Sequence, residues 1–222
     1  MTLQGVLLDI DGTLVLSNDA HAQTWVEAFA AYGYEIEFEQ VRPMIGMGGD
    51  KIITKLVPGL TKESGDGQAI DERRKELVLN QYAAQMAPAK GGRELVLKMQ
   101  EAGLHLVVAS SASKEELETL LKAAQVEDLL EEATTSSDAE SSKPAPDIVQ
   151  AALDQGKFQP DRVVMLGDTP YDIESAGKAG VEVIAVRCGG FSDEQLSGAI
   201  AIYDDPADLL AHYDQSPLLK ND

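Results

Sequence analysis

The sequence predicts an α/β protein in which a parallel sheet carries an inserted, all-helical segment. Apolar runs of strand length alternate with amphipathic helical patterns, first at residues 3–8 and again from residue 104 onward. In the stretch between them, apolar residues recur only at helical spacing. We therefore expect a core domain formed by residues 1–16 and 88–222, and a helical cap domain formed by residues 17–87.

Composition and charge exclude several classes of protein. The chain has 222 residues, of which 44% are hydrophobic, enough for one sizeable core and a smaller appended unit. Its formal net charge of -20 argues against nucleic acids and anionic membranes as partners, because polyanions bind basic surfaces. The single cysteine, Cys188, excludes an intramolecular disulfide framework. No stretch has the pattern of a signal peptide or a membrane span, so we expect a cytoplasmic protein.

The first predicted strand ends in two acids. Its apolar residues lead into Asp9-Ile10-Asp11-Gly12-Thr13, where the glycine allows a sharp turn. Ligands of open parallel sheets bind at the carboxyl ends of the strands. Two carboxylates this close repel each other, and a hard divalent cation such as Mg²⁺ would relieve that repulsion. The alternative is a turn with two solvated acids.

The helical insert follows this turn. Periodicity predicts helices over residues 19–30, 39–44, 50–56 and 71–86, with hinges near both ends of the insert. Trp25 and Met47 have the spacing of core residues, although a large apolar residue in a cap can also contact a ligand. His21 lies just beyond the acidic turn, so it is either structural or positioned toward the site.

The second strand of the sheet, residues 104–109, ends in small hydroxyl residues. Ser110-Ser111-Ala112-Ser113 stand between this strand and a helix predicted over residues 114–124. Backbone N–H groups and the positive end of a helix dipole can hold an anion there, although serine is also an ordinary helix cap. His105 falls inside the apolar run, which predicts a buried core histidine.

The remaining units bring one cation and two further acids. Lys143 lies in a loop stiffened by two prolines, where its ammonium could bind a phosphate or be solvated. The strand at residues 162–166 ends in Gly167-Asp168, and Asp172 follows on the first turn of a helix. Two further strands complete the sheet, and a helix follows them. We expect residues 214–222 to be frayed.

These segments together resemble a known superfamily. Asp9-Ile10-Asp11-Gly12-Thr13, Ser110, Lys143 in Ser-Lys-Pro, and Gly167-Asp168 with Asp172 resemble the four ordered motifs of the haloacid dehalogenase-like hydrolases. The helical insert after the first motif is similar to the cap of the branch that contains phosphoglycolate phosphatase and beta-phosphoglucomutase. The resemblance covers the chain from residue 3 to about residue 188. It implies a Rossmann-like sheet and chemistry through an aspartyl-phosphate.

The resemblance also implies the role of each residue. Asp9 would attack phosphorus, Asp11 would act as general acid and base, and Ser110 and Lys143 would hold phosphoryl oxygens. The cofactor would be Mg²⁺, with Asp9, Asp11 through its carbonyl, Asp168 and Asp172 as the metal-site residues. Further contacts with the phosphate or the substrate are expected from Gly12, Thr13, Ser111 and His21.

The reaction that these residues favour is hydrolysis. We expect an Mg²⁺-dependent phosphatase, a monomer or weak dimer, that acts on a small phosphorylated metabolite. The alternative is a beta-phosphoglucomutase-like mutase. Mutases typically have an acidic pair where this chain has Gly167-Asp168, and an arginine where it has Gly46-Met47-Gly48-Gly49-Asp50-Lys51. Arg42 or Lys51 could contact the substrate, or be solvated.

Three other classes of protein share some of these features. Dehalogenation needs no second acid, so Asp11 argues against it. A receiver domain also combines Mg²⁺, an aspartate, a hydroxyl residue and a lysine, but its phosphoacceptor lies on a later strand of a shorter chain. A binding protein on the same scaffold would not need every catalytic position filled, as it is here.

Overall fold

The structure, a computed structural model, describes residues 3–219 and contains a six-stranded parallel sheet. The strands in chain order are β1 (Gly5–Leu8), β2 (Val15–Leu16), β3 (Ala87–Pro88), β4 (His105–Ala109), β5 (Ala133–Thr134), β6 (Val163–Gly167), β7 (Glu182–Val186) and β8 (Ala201–Tyr203). The sheet has the order β5-β4-β1-β6-β7-β8, and every pair in it is parallel. This Rossmann-like order confirms the predicted α/β class and places β1 at the centre.

Helices cover both faces of the sheet. The α-helices are α1 (Asn18–Ala31), α2 (Phe38–Val41), α3 (Gly49–Leu56), α4 (Gly65–Leu77), α5 (Gly92–Glu101), α6 (Lys114–Ala123), α7 (Asp147–Gly156), α8 (Pro170–Lys178) and α9 (Pro206–Ala211). Side chains alternate along β1, so Val6 and Leu8 pack with α5, α6 and α9, whereas Leu7 packs with α7 and α8. Burial on both faces explains why β1 reads as a continuous apolar run.

Helices α1 to α4 form the insert and have an apolar core of their own. Trp25, Phe29, Ile53 and Ile70 are among its buried residues. The short ribbon of β2 and β3 connects the insert to the sheet, with Val15 opposite Pro88 and Leu16 opposite Ala87. The predicted domain boundaries lie on this ribbon, and the division into domains stays a prediction.

The insert helices differ from the predicted bounds at one place in particular. Helix α4 begins at Gly65, where the sequence predicts a start at residue 71. Ser64 is extended and Gly65 has a φ of +58°, so the glycine makes the tight turn into the helix rather than lengthening the loop. After α4 the chain continues as a π-helical turn, Val78–Tyr82, and a 3₁₀ turn, Ala83–Gln85.

Two further expectations were wrong. His105 is not a core residue, because it begins β4 with a side chain that is 43% exposed and 2.9 Å from Glu132. The residues after α9 are not frayed as far as residue 219, because Tyr213 and Leu218 are buried against the core. The final three residues of the expected frayed segment lie outside the described part of the chain. Among the helices between residues 3 and 219, none combines the length and apolar character needed to cross a membrane.

Candidate active site

Three polar residues converge where the central strands end. Asp9, Ser110 and Asp168 directly follow β1, β4 and β6, which are neighbours in the sheet. The backbone N–H of Asp9 donates to Leu166 O at 2.9 Å, which continues the ladder past the end of β1. All three side chains are buried. The sequence predicts that these side chains share one edge of the sheet, because parallel strands bring their carboxyl ends to the same edge.

The loop after β1 directs its two acids to different partners. Gly12 has a φ of +74°, and the backbone N–H groups of Leu14 and Val15 both donate to Ile10 O. This compact turn leaves Asp9 facing Lys143 and Asp11 facing the insert. The two carboxylates therefore work in separate hydrogen-bond networks.

Lys143 lies within a cluster of buried carboxylates. Its Nζ atom is 2.7 Å from Asp9 Oδ1 and 2.7 Å from Asp172 Oδ1. Burial raises the pKa of Asp9 to about 7, although Lys143 counteracts part of that rise and Asp172 and Asp11 add to it. Burial lowers the pKa of Lys143, but the charges of Asp172 and Asp9 outweigh this, and the net shift is upward. The lysine is thus a permanent cation beside the carboxylate of Asp9.

The same cluster has the chemistry of a metal site. Oxygens of Asp9, Asp168 and Asp172 lie within 4.8 Å of one another, and the three residues are buried. Burial and the charges of Asp9 and Asp172 raise the pKa of Asp168, so without a cation the cluster resists full ionisation. A hard divalent cation with oxygen ligands fits these residues.

Hydrogen bonds from neighbouring residues hold the carboxylates in place. Thr13 Oγ1 is 3.1 Å from Asp9 Oδ2 and 3.2 Å from Asp168 Oδ1, and Asn18 Nδ2 donates to Asp168 Oδ2 at 2.7 Å. Asp172 accepts from the backbone N–H and the hydroxyl of Thr169. These contacts position each acid before any ligand binds.

Asp11 forms a pair with a residue of the insert. His21 Nε2 is 2.7 Å from Asp11 Oδ1, and Ser17 Oγ donates to the same oxygen at 2.5 Å. Burial raises the pKa of Asp11, but the charge and hydrogen bond of His21 and the hydroxyl of Ser17 outweigh it, so the net shift is downward. His21 thus holds the carboxylate in a fixed direction.

The acids open into a cavity of about 80 Å³ between the sheet edge and the insert. One side of the cavity carries the polar residues, and the insert contributes mostly apolar ones. Its lining consists of Asp9, Asp11, His21, Trp25, Ile45, Gly46, Met47, Gly48, Gly49, Ile52, Arg74, Ser110, Ser111, Ala112, Glu116 and Lys143. Trp25 and Met47 are therefore buried in the insert core and also form part of the cavity wall.

The structure brings most, but not all, of the predicted site residues to this cavity. Asp9, Asp11, Ser110, Ser111, His21 and Lys143 line it. Gly12, Thr13, Asp168 and Asp172 lie behind the lining, and the contact of Gly12 and Thr13 with a phosphate stays a prediction. Arg42 instead pairs with Asp19, and Lys51 with Asp50, outside the cavity.

Two lining residues, Arg74 and Glu116, were not predicted from the sequence. Arg74 lies in a run of charged residues, 71–76, that reads as a solvated helix face. Glu116 is the third residue of α6 and closes a capping box with Ser113, so its sequence context already has a structural explanation. No signal in the sequence separates these two residues from ordinary helix charges.

Comparison with known proteins assigns the family. Residues 6–186 match the model of the haloacid dehalogenase-like hydrolases, so the chain belongs to this family of enzymes. Over 188 residues the chain is 31% identical to the chloroplastic protein SUPPRESSOR OF QUENCHING 1 of Arabidopsis thaliana, covering 83% of this chain but 18% of that longer protein. It is 28% identical to a phosphoglycolate phosphatase of Rhodospirillum rubrum, covering 93% and 89% of the two chains.

Solved structures agree with this assignment. The structure of a hydrolase from Pseudomonas syringae superimposes with a TM-score of 0.88 at 25% identity, covering 96% of this chain and 98% of the other. The whole architecture, sheet and insert together, is therefore that of the family.

Proposed function

We propose that this protein is a phosphatase that hydrolyses a small phosphate monoester through a phosphorylated Asp9. One observation carries the proposal: a buried carboxylate, a buried ammonium and a histidine-held second carboxylate line one small cavity at the carboxyl end of β1. A phosphate ester is very slow to hydrolyse, and a carboxylate nucleophile divides the reaction into two easier displacements.

In the first displacement a carboxylate oxygen of Asp9 attacks phosphorus, and the bond from phosphorus to the ester oxygen breaks. The leaving oxygen takes a proton from the carboxyl group of Asp11, which His21 Nε2 holds at 2.7 Å. In the second displacement water attacks phosphorus, Asp11 accepts its proton, and inorganic phosphate leaves Asp9. Asp11 is ionised once it has donated its proton, and the surroundings that lower its pKa stabilise this form for the role as a base.

Lys143, Ser110 and a divalent cation complete the site. Lys143 and the hydroxyl of Ser110 would bind phosphoryl oxygens, because both line the cavity beside Asp9. Asp9, Asp168 and Asp172 would hold Mg²⁺, with the Asp11 carbonyl as a further ligand implied by the motif. The ion would supply charge neutralisation to the phosphoryl group when bound. The partner would be a small phosphorylated metabolite met in the cytoplasm.

The mutase alternative has less support. Gly167 occupies the position where mutases typically have the first of two acids. The stretch Gly46 to Lys51 has no arginine, and its Lys51 pairs with Asp50 outside the cavity.

Release of phosphate from a panel of small esters, measured with Mg²⁺ and with chelator, tests the proposal. Asp9→Asn is expected to lower kcat by about 10⁴-fold or more while leaving the fold intact, because the neutral amide cannot act as nucleophile. Asp161→Asn, which neutralises an exposed acid before β6, is the matched control and should retain full activity.

Metal-independent release, or wild-type release by a folded Asp9→Asn protein, would overturn the mechanism. Interconversion of hexose phosphates faster than phosphate release would favour the mutase. A phosphoprotein that persists in Mg²⁺ would instead indicate a receiver-like role.

A further inference from the structure

Two charged residues that the proposed chemistry does not use line the same cavity. Arg74 of α4 and Glu116 of α6 meet there, with Arg74 Nη1 2.6 Å from Glu116 Oε1. Their relative exposures are 9% and 2%. The Arg74 guanidinium also lies 5.2 Å from the centre of the Trp25 ring. A buried ion pair in a cavity wall costs desolvation energy, so its presence calls for a functional account.

Glu116 neutralises the positive charge that Arg74 of the insert brings to the cavity wall. Burial raises the pKa of Glu116, but the charge of Arg74 and the hydroxyl of Ser113 lower it more, to about 2. Glu116 is therefore ionised at any working pH. Asp71 Oδ1 lies 4.0 Å from Arg74 Nη2 and adds to the compensation of the arginine charge.

Unused hydrogen-bond capacity remains around the pair. Arg74 Nε and Ser111 Oγ are both buried, and neither has a hydrogen-bond partner within residues 3–219. Buried polar atoms without partners are costly, and a bound ligand can satisfy them. A sugar or polyol hydroxyl can accept from the arginine N–H and donate to a carboxylate or serine oxygen.

We propose that Arg74 and Glu116 form a specificity-determining pair that selects phosphate esters with an uncharged, hydroxyl-bearing leaving group. This inference rests on the proposed phosphatase function. A leaving group with a carboxylate or a second phosphate would meet the Glu116 carboxylate in a cavity that already contains Asp9 and Asp11. Like charges in a desolvated site repel strongly, so the pair acts against anionic leaving groups.

Two esters of similar size test the proposal: 2-hydroxyethyl phosphate, which ends in a hydroxyl, and phosphoglycolate, which ends in a carboxylate. Wild-type kcat/KM should favour the hydroxyl ester by about tenfold or more. Glu116→Gln should raise kcat/KM for phosphoglycolate by about tenfold, mainly through KM, because the substrate carboxylate can then pair with Arg74.

The substitutions are chosen so that a loss of folding can be told apart from a change of specificity. Glutamine preserves the capping box of α6. Glu115→Gln makes the same charge change one residue away on the exposed face of α6 and should leave the preference unchanged. The double variant Glu116→Gln with Arg74→Gln leaves neither charge unpaired in the wall. It should keep only part of the gain for phosphoglycolate, because the repulsion by Glu116 is removed but Arg74 no longer pairs with the substrate carboxylate. If Glu116→Gln does not fold, the double variant must still reduce the ratio of kcat/KM for the hydroxyl ester to kcat/KM for phosphoglycolate.

The outcomes separate the two proposals. Turnover of both esters with a preference for phosphoglycolate, or a preference that Glu116→Gln leaves unchanged, overturns the specificity role while the phosphatase stands. Absence of Mg²⁺-dependent release from every ester of the panel overturns the phosphatase and this inference with it.

Discussion

The two sides of the cavity are built in different ways. On the sheet side, Asp9 and Ser110 follow strands, and hydrogen bonds to neighbouring residues fix the acids there. On the insert side, the wall consists mostly of apolar residues from several helices and turns, together with His21, which contacts Asp11, and Arg74, which contacts Glu116. For the proposed phosphatase, we expect the sheet side to carry most of the reaction, and the insert wall with the Arg74–Glu116 pair to carry most of the choice of substrate. Variants of the sheet-side acids and Lys143 should lower kcat for every ester, whereas variants of the insert wall other than His21 should reorder the esters.

The largest effect is expected from Lys143→Met. It removes the cation between Asp9 and Asp172, so kcat should fall by about 10³-fold on every ester, whatever its leaving group. The free energy of unfolding without metal should fall by about 3–5 kcal/mol, because buried carboxylates lose their partner. Steady-state kinetics and urea unfolding measure the two changes. Lys178→Met, on the exposed surface of α8, is the control. A fall of kcat on one ester alone would contradict the assignment of Lys143 to the reaction rather than to the choice of substrate.

His21→Gln should have the next largest effect, because His21 is the insert residue that contacts the chemistry. We expect kcat to fall by about tenfold through poorer positioning of Asp11. The pKa of Asp11 should rise toward its ordinary value once the charge of His21 is lost, so the acid limb of the pH–rate profile should move to higher pH. A lower kcat with an unmoved acid limb would assign His21 a packing role only.

The metal-free protein should become less stable as pH rises toward neutrality. The pKa of Asp9 is raised from 3.8 to about 7, so between these values the folded state holds a proton that the unfolded chain has lost. The free energy of unfolding should therefore fall by up to about 1.4 kcal/mol per pH unit across this interval. Asp168, whose pKa is also raised, adds to the same fall. Asp11 and Glu116, whose pKa values are lowered, act mainly at more acidic pH.

Urea unfolding between pH 5 and 7.5 measures this slope. Asp9→Asn should make it shallower by the share of Asp9, and Mg²⁺ should stabilise the wild type more at pH 7.5 than at pH 5 because it binds the ionised carboxylates. Equal slopes for the two proteins would contradict the assignment of the titration to Asp9.

The smallest effect is expected from Trp25→Phe on the insert side. The smaller ring keeps the apolar wall but weakens the contact with Arg74, so kcat/KM should change by about two- to fivefold. The change should differ between hydroxyl-bearing and anionic esters, and kcat on the best ester should stay within about twofold. An equal fall of kcat/KM on all esters would mean that Trp25 affects the reaction and not the choice of substrate.

The sequence predicted the sheet side well for a physical reason. Parallel strands bring their carboxyl ends to one edge, so Asp9, Ser110 and Asp168 could be placed together from strand patterns alone. The two prolines of its loop singled out Lys143 as a possible phosphate cation, but only the resemblance chose this role over a solvated lysine, because the loop has no regular pattern. Arg74 and Glu116 could not be found, because their contact joins α4 to α6, two helices that are far apart along the chain. The start of α4 at Gly65 was missed because glycine usually marks a loop.

The ribbon of β2 and β3 joins the two chain crossings between the sheet and the insert by hydrogen bonds. A tilt of the insert relative to the sheet would therefore pivot on this ribbon. Displacement in such a lever grows with distance from the pivot. His21 lies in the first turn of α1, a few residues beyond Leu16, so its lever arm is short. The contact of His21 with Asp11 would thus change little during a tilt that moves more distant parts of the insert much further.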